Sequence, residues 1–325
     1  MSNDQLAELH LHIEGSLEPP LIFDLAERNA ITLPYNDIDE LQAKYEFTDL
    51  QSFLDLYYAN MAVLRTAEDF ADLARAYFRR TAQAGVTHAE IFFDPQAHTE
   101  RGVPLQAVVE GLADACATSE REFGVTSGLI ASILRDKPVL HANQLLDDLL
   151  AMKAPIIGLG LDSAEVGYPP SLFVDVFAKA RAEGLHVVAH AGEEGPPDYI
   201  WQALDLLKVE RIDHGVRCLE DEALVNRLVE EQIPLTVCPL SNVRLKVIDD
   251  VAQLPLRQML ERGLSVSINS DDPAYFGGYV DDNFVALEEG MGLTADERKQ
   301  LAENSVRASF LCDNLNQFAV TEIFG

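Results

Sequence analysis

From Gly85 onward the chain repeats one pattern: a short apolar run ends in a polar cluster, and a stretch with helical periodicity follows. The apolar runs are Val86–Phe93, Gly128–Leu134, Ile156–Leu161, His186–His190, Arg211–His214, Ile233–Val237 and Leu264–Ile268. Between them, Leu105–Phe123, Leu172–Glu183, Ile200–Leu207, Glu220–Glu231 and Leu254–Arg262 place apolar residues at helical spacing. Upstream, Leu9-His10-Leu11-His12-Ile13 alternates apolar and imidazole side chains with a period of two, which predicts one more strand. Eight strands, each followed by a helix, predict an α/β fold, a (β/α)8 TIM barrel. A doubly wound open sheet is the competing arrangement, but it wants a glycine-rich turn after its first strand, and Glu14-Gly15-Ser16 stands there instead. Leu17–Ala84 reads as mostly helical, a set of extra helices inserted after the first strand near the barrel mouth. No linker, repeat or low-complexity tract interrupts the pattern, so residues 1–325 are expected to form one barrel domain.

In a barrel, catalytic groups belong at the C-terminal ends of the strands. The polar residues of this chain gather there. His10 and His12 end the first strand, on one face of it, with alternate Cα atoms about 6–7 Å apart, within reach of one metal ion. The fifth strand ends His190-Ala-Gly-Glu193-Glu194, the sixth Asp213-His214-Gly215, the eighth Asn-Ser-Asp271-Asp272-Pro273. Singly, each of these histidines is the kind that a hydrophobic core satisfies. Jointly, imidazole nitrogens and a carboxylate on four strand ends read as a metal site that suits zinc with a position open for water. An ion in such a site lowers the pKa of its water from ~15.7 towards ~7. Hydrolysis at an amidine carbon then needs a proton donor for the ring nitrogen and a proton carrier for the leaving amine. Glu193, His214 and the adjacent Asp271 and Asp272 are within reach for those tasks. His88, His98, His141 and His186 have no such company and are left unassigned.

Composition narrows the partners. The net charge of −30 repels phosphate backbones and anionic lipid, so nucleic acid and membrane surfaces are not expected as partners. Cys116, Cys218, Cys238 and Cys312 are far apart and form neither a disulfide framework nor a cysteine zinc motif. The first residues lack a basic region followed by an apolar run, and no apolar stretch approaches ~18 residues. A soluble, cytoplasmic protein with a small-molecule substrate is expected, and homo-oligomerisation is left open. Arg244 and Lys246 are read as a solvated loop.

The motifs AELHLHIEGSLEP, VAHAGEEG, RIDHGVR, CPLSN and INSDDPAYFGG, in this order and spacing, resemble those of the adenosine/adenine deaminases of the amidohydrolase superfamily. The likeness runs from about Ala7 to about Ser309. It implies one Zn2+ per chain held by His10, His12, His190 and Asp271. It implies that Glu193 protonates purine N1, that His214 orients or deprotonates the attacking water, and that Asp272 bonds purine N7. Attack at C6 would release ammonia. Asp272, Glu14 and Gly167 are the substrate-side positions it implies. Binuclear superfamily members carry a carboxylated lysine at the end of strand four; Leu161-Asp162-Ser163-Ala164-Glu165 holds none, so a mononuclear site is expected.

One departure bears on the substrate. Adenosine deaminases carry Asp in HxHxDG, and here Glu14 takes its place, its extra methylene reaching into the space of a sugar. With FFDPQAHT and PAYFGGYV, this resembles the adenine deaminase branch, which implies conversion of adenine to hypoxanthine and ammonia in purine salvage. The alternative for Glu14 is a bond to a helix terminus near Ser16. Alternative activities are deamination of N6-substituted adenines or adenosine, another metallohydrolase reaction on the same scaffold, and purine or metal binding without turnover.

Overall fold

Eight strands form in the computed structural model, which describes residues 5–311: β1 (Leu6–His12), β2 (Val86–Phe93), β3 (Thr126–Leu134), β4 (Ile156–Asp162), β5 (His186–Ala191), β6 (Arg211–His214), β7 (Leu235–Val237) and β8 (Val266–Ile268). All are parallel, and each pairs with the next in chain order. The ring closes just past β8. There the His12 N–H donates to Asp271 O at 3.0 Å, and the Asp271 N–H to His10 O at 3.1 Å. The eight-stranded barrel is therefore the one that the apolar runs predict. β2 and β6 keep their predicted bounds, whereas β7 begins two residues later than its apolar run. Pro234 is the reason: it has no N–H for a ladder and gives only its carbonyl, to the Ile212 N–H at 3.0 Å.

Parallel strands are covered on both faces, which is why β1 is buried at every position despite its alternation. The helical layer differs from the sequence pattern mainly at its ends. The stretch 220–231 becomes a helix over Glu222–Glu231, because the Asp221 carboxylate caps it by accepting from the Ala223 and Leu224 N–H groups. The stretch 200–207 splits into a helix, Pro197–Gln202, and a wider turn, Ala203–Leu207.

The segment after β1 holds α1 (Pro19–Arg28), α2 (Ile38–Gln42), α3 (Leu50–Asn60) and α4 (Ala67–Gln83). α4 returns the chain to β2, so the first three are the insertion. Asp49 and Ser52 cap α3 reciprocally, each side chain accepting from the other's backbone N–H. The buried side of α3 carries Phe53 and Tyr57, which pack on Tyr275 and Phe276, the Phe53 and Phe276 ring centroids being 4.6 Å apart. Tyr58 Oη lies 3.3 Å from Ser163 Oγ, joining α3 to the residue that follows β4. The helix thus roofs the C-terminal mouth of the barrel. Among the described residues no helix is long and apolar enough to cross a membrane, and Cys116, Cys218 and Cys238 are unpaired. Cys312 lies outside the described residues.

Towards the opposite end of the barrel, Arg211 and Glu90 form a fully buried pair, Nη1 to Oε2 at 2.6 Å, with Arg211 Nη2 also donating to Leu9 O at 3.1 Å. Burial by itself would raise Glu90, yet Arg211 and His88 hold it below its ordinary value. Removing one partner leaves a buried charge uncompensated. Arg211→Met is therefore expected to lower the free energy of unfolding by about 3–5 kcal/mol. The Arg211→Met/Glu90→Met double variant should regain most of that loss, as urea denaturation of the two proteins would show.

Candidate metal centre and active site

The site is assembled where β1, β5, β6 and the segment after β8 end together. His10 is turned by Thr236: the carbonyl of Thr236, 3.2 Å away, can only accept, so His10 Nδ1 carries the proton. This leaves His10 Nε2 as a lone pair without a hydrogen-bond partner, 3.4 Å from Asp271 Oδ1. His12 Nε2 lies 3.1 Å from His190 Nε2 and 3.6 Å from Asp271 Oδ1. His214 Nε2 is 3.7 Å from Asp271 Oδ2 and 3.5 Å from Glu193 Oε2. One donor atom each from His10, His190, His214 and Asp271 falls within 4.8 Å of the others. Behind His190, Asp213 Oδ2 stands 3.7 Å from Nδ1, and Thr236 Oγ1 donates to Asp213 Oδ1 at 2.9 Å.

This donor set fits a divalent ion. Zinc bonds of about 2.0–2.1 Å in a tetrahedron separate neighbouring donor atoms by about 3.3–3.4 Å; His12 to His190, His10 to Asp271 and His12 to Asp271 stand 3.1, 3.4 and 3.6 Å apart. The fully mutual group, however, has His214 where the sequence expects His12, and His12 groups instead with Asp271 and Asp272. Burial lowers His12 to about 4 and His214 to about 3, and lowers His190 well below its ordinary value, so these imidazoles are neutral. Burial works the same way on His10, but Asp271 beside it outweighs burial and raises it. Burial pushes Asp271 the other way, but His10, His214 and His12 hold it well below the carboxylate range. His214 and Asp271 both sit in the left-handed region, at φ +64° and +63°, which costs a non-glycine residue about 1–3 kcal/mol. The surrounding barrel holds both in place.

Around this cluster lies a cleft. Its floor is His12, His190, Glu193, His214, Asp271 and Asp272; Leu54, Tyr57 and Tyr58 of α3 form part of its roof. Burial, then Asp271, pushes both Glu193 and Asp272 well above the carboxylate range, so each is an acid rather than a base. Glu193 Oε1 and Asp272 Oδ1 have no hydrogen-bond partner.

Of the predicted site residues, His10, His12, His190, Glu193, His214, Asp271 and Asp272 come together. Glu14 and Gly167 do not join them. Glu14 Oε1 is occupied by His98 Nε2 at 2.6 Å and by the N–H of Asp94 at 3.1 Å, where the helix α5 (Pro95–Thr99) begins. The carboxylate does bond a helix terminus, but that of α5 rather than one near Ser16. Gly167 is exposed in the loop after β4 and does not line the cleft. Two cleft carboxylates carry no role in the sequence analysis, Asp94 and Asp162. Burial, then Asp162 and Glu14, pushes Asp94 well above the carboxylate range; burial, with Glu14, raises Asp162 to about 7 although the hydrogen bond from Asp94 works the other way. Both follow the last apolar residue of a strand, as Asp271 nearly does, and that position was the available signal.

A family described as "Adenosine deaminase" matches residues 5–323. The chain is 57% identical over 302 residues to an adenine deaminase of Ectopseudomonas mendocina (strain ymp), spanning 93% of this chain and 96% of that protein. The crystal structure of an adenine deaminase from Arthrobacter aurescens is 61% identical, superimposes with a TM-score of 0.96, and covers 98% of both chains. An amidohydrolase from Burkhoderia ambifaria with bound zinc is 28% identical with a TM-score of 0.88, covering 96% of this chain and 87% of that one. With the barrel and its clustered histidines and carboxylates already in place, these likenesses show that the chain belongs to the adenosine deaminase family.

Proposed function

We propose that this protein hydrolyses adenine to hypoxanthine and ammonia, in the cytoplasm and as one catalytic domain, with one zinc ion held by His10, His12, His190 and Asp271. The observation that carries the reading is the meeting, in one cleft, of that donor set with an acid, Glu193, and a neutral imidazole, His214, 3.5 Å apart. The zinc-bound amidohydrolase and the two adenine deaminases among its relatives support it.

When bound, the ion supplies a water that ionises near neutral pH. Glu193, kept protonated by burial, gives its proton to purine N1, which gathers charge as water adds to C6. His214, kept neutral by burial, accepts the proton of the attacking water. A proton must reach the exocyclic amine before ammonia leaves, and His214 and Glu193 are the two groups placed to carry it. Asp272, also protonated, donates to purine N7. The products are balanced by one water consumed per ammonia released.

Selection of the free base belongs, in this reading, to the roof rather than to Glu14. Leu50, Phe53, Leu54, Tyr57 and Phe276 line the cleft as an apolar wall that offers a ribose hydroxyl few partners. In a coupled ammonia assay kcat/KM for adenine is expected to exceed that for adenosine by about 10²-fold or more; equal values would remove the base-specific assignment.

Glu193→Gln should lower kcat by about 10²–10⁴-fold without loss of metal, since it removes a proton donor and no ligand. Dialysis against a chelator should abolish turnover and added zinc restore it, with elemental analysis of the active protein giving one zinc per chain. Two metals per chain would favour a binuclear hydrolase.

A further inference from the structure

The loop that carries Glu193 is held by a carboxylate that no motif marks. After β5 ends at Ala191, the next four backbone N–H groups all donate to Glu165. Gly192 reaches Oε1 at 2.7 Å, and Glu193, Glu194 and Gly195 reach Oε2 at 3.1, 2.9 and 2.7 Å. Glu165 comes from the loop after β4 and is 1% exposed. The carbonyls of the same stretch are fixed from other sides. Arg135 Nη1 donates to His190 O at 2.7 Å, the Arg217 N–H to Gly192 O at 3.0 Å, and Arg217 Nη1 to Glu194 O at 2.5 Å.

Successive N–H groups turned on one point form a nest of the kind that binds anionic ligands, and here the chain supplies the anion itself. Helix capping does not explain it. The next helix starts at Pro197, so its free N–H groups lie beyond residues 192–195. Close approach is built in, too. A Cβ on Gly195 would stand 2.4 Å from Glu165 Oε1, so a side chain there would push the carboxylate off the loop.

We infer that Glu165 is a positioning residue for the deamination: it fixes the backbone of Gly192–Gly195 so that the Glu193 carboxyl meets the cleft opposite His214. This rests on the assignment of Glu193 as the proton donor. A gap of one ångström in the placement of an acid is felt mostly in the transition state, so the loss should appear in kcat and leave KM alone.

Two variants separate positioning from mere stability. Glu165→Gln keeps the size but has one oxygen where two accept, and Gly195→Ala keeps every charge while displacing the carboxylate. Each is assayed on adenine beside the wild type, with zinc content and thermal midpoint measured, and kcat expressed per zinc-loaded, folded chain. The expected result is a fall in kcat of about 10²-fold in both, with KM within about threefold of the wild type. If kcat per loaded chain stays within about twofold of the wild type, or if only KM moves, the carboxylate is structural and the inference is overturned, whatever happens to the thermal midpoint. Should Glu165→Gln not fold, Gly195→Ala decides by the same criteria. A wild type that releases no ammonia from adenine refutes the proposed function itself, a separate outcome from variants that match an active wild type.

Discussion

The barrel closes through two backbone hydrogen bonds between Asp271 and the pair His10 and His12. These residues are also three of the four proposed metal ligands, so closing the cylinder and gathering the donor set are one event. Strand one supplies two imidazoles whose spacing is fixed by the pleat. Their partners come from the fifth strand and from beyond the eighth, and no local segment could bring them together. Asp271 adopts a left-handed backbone at this junction. The closure holds that conformation, and the conformation in turn aims the carboxylate inward.

Burial then does the chemical sorting. Histidines and carboxyls crowd a space with little water, and the two kinds of group respond in opposite directions. The imidazoles of His12, His190 and His214 become neutral, and His10 is raised by Asp271 against its burial. Glu193 and Asp272 become acids, and the rings around Asp271 hold it as an anion. Acidic residues are therefore compatible with one another in this cleft because most of them keep their protons.

Much of this is legible in the sequence. The alternation of apolar runs and helical stretches predicts the strand order, and the polar residues that end the strands include six groups of the cleft, with His10 beneath them. Glu14 was placed by the resemblance. In the structure Ile13 is already helical, at φ −62° and ψ −37°, and the chain leaves the strand there. The buried carboxylate reaches His98 and the start of α5 through Oε1. Asp94 and Asp162 were hidden because a lone aspartate before Pro or Ser reads as turn chemistry. Glu165 could not be seen at all, since its four donors lie 27–30 residues away and meet it only once strands four and five are side by side.

The turn after the first strand and the turn after the eighth touch at one point. A Cβ on Gly15 would fall 2.1 Å from Asp272 Oδ1 and 2.6 Å from its Cα. Neighbouring Glu14 is anchored at the same time to His98 and to the start of α5. An engineer who wished to redesign this enzyme for a bulkier purine could not retouch the HIEG segment by itself. Every alteration there would be transmitted to the carboxyl on the opposite rim, so the two edges of the binding site must be rebuilt together or left as they are.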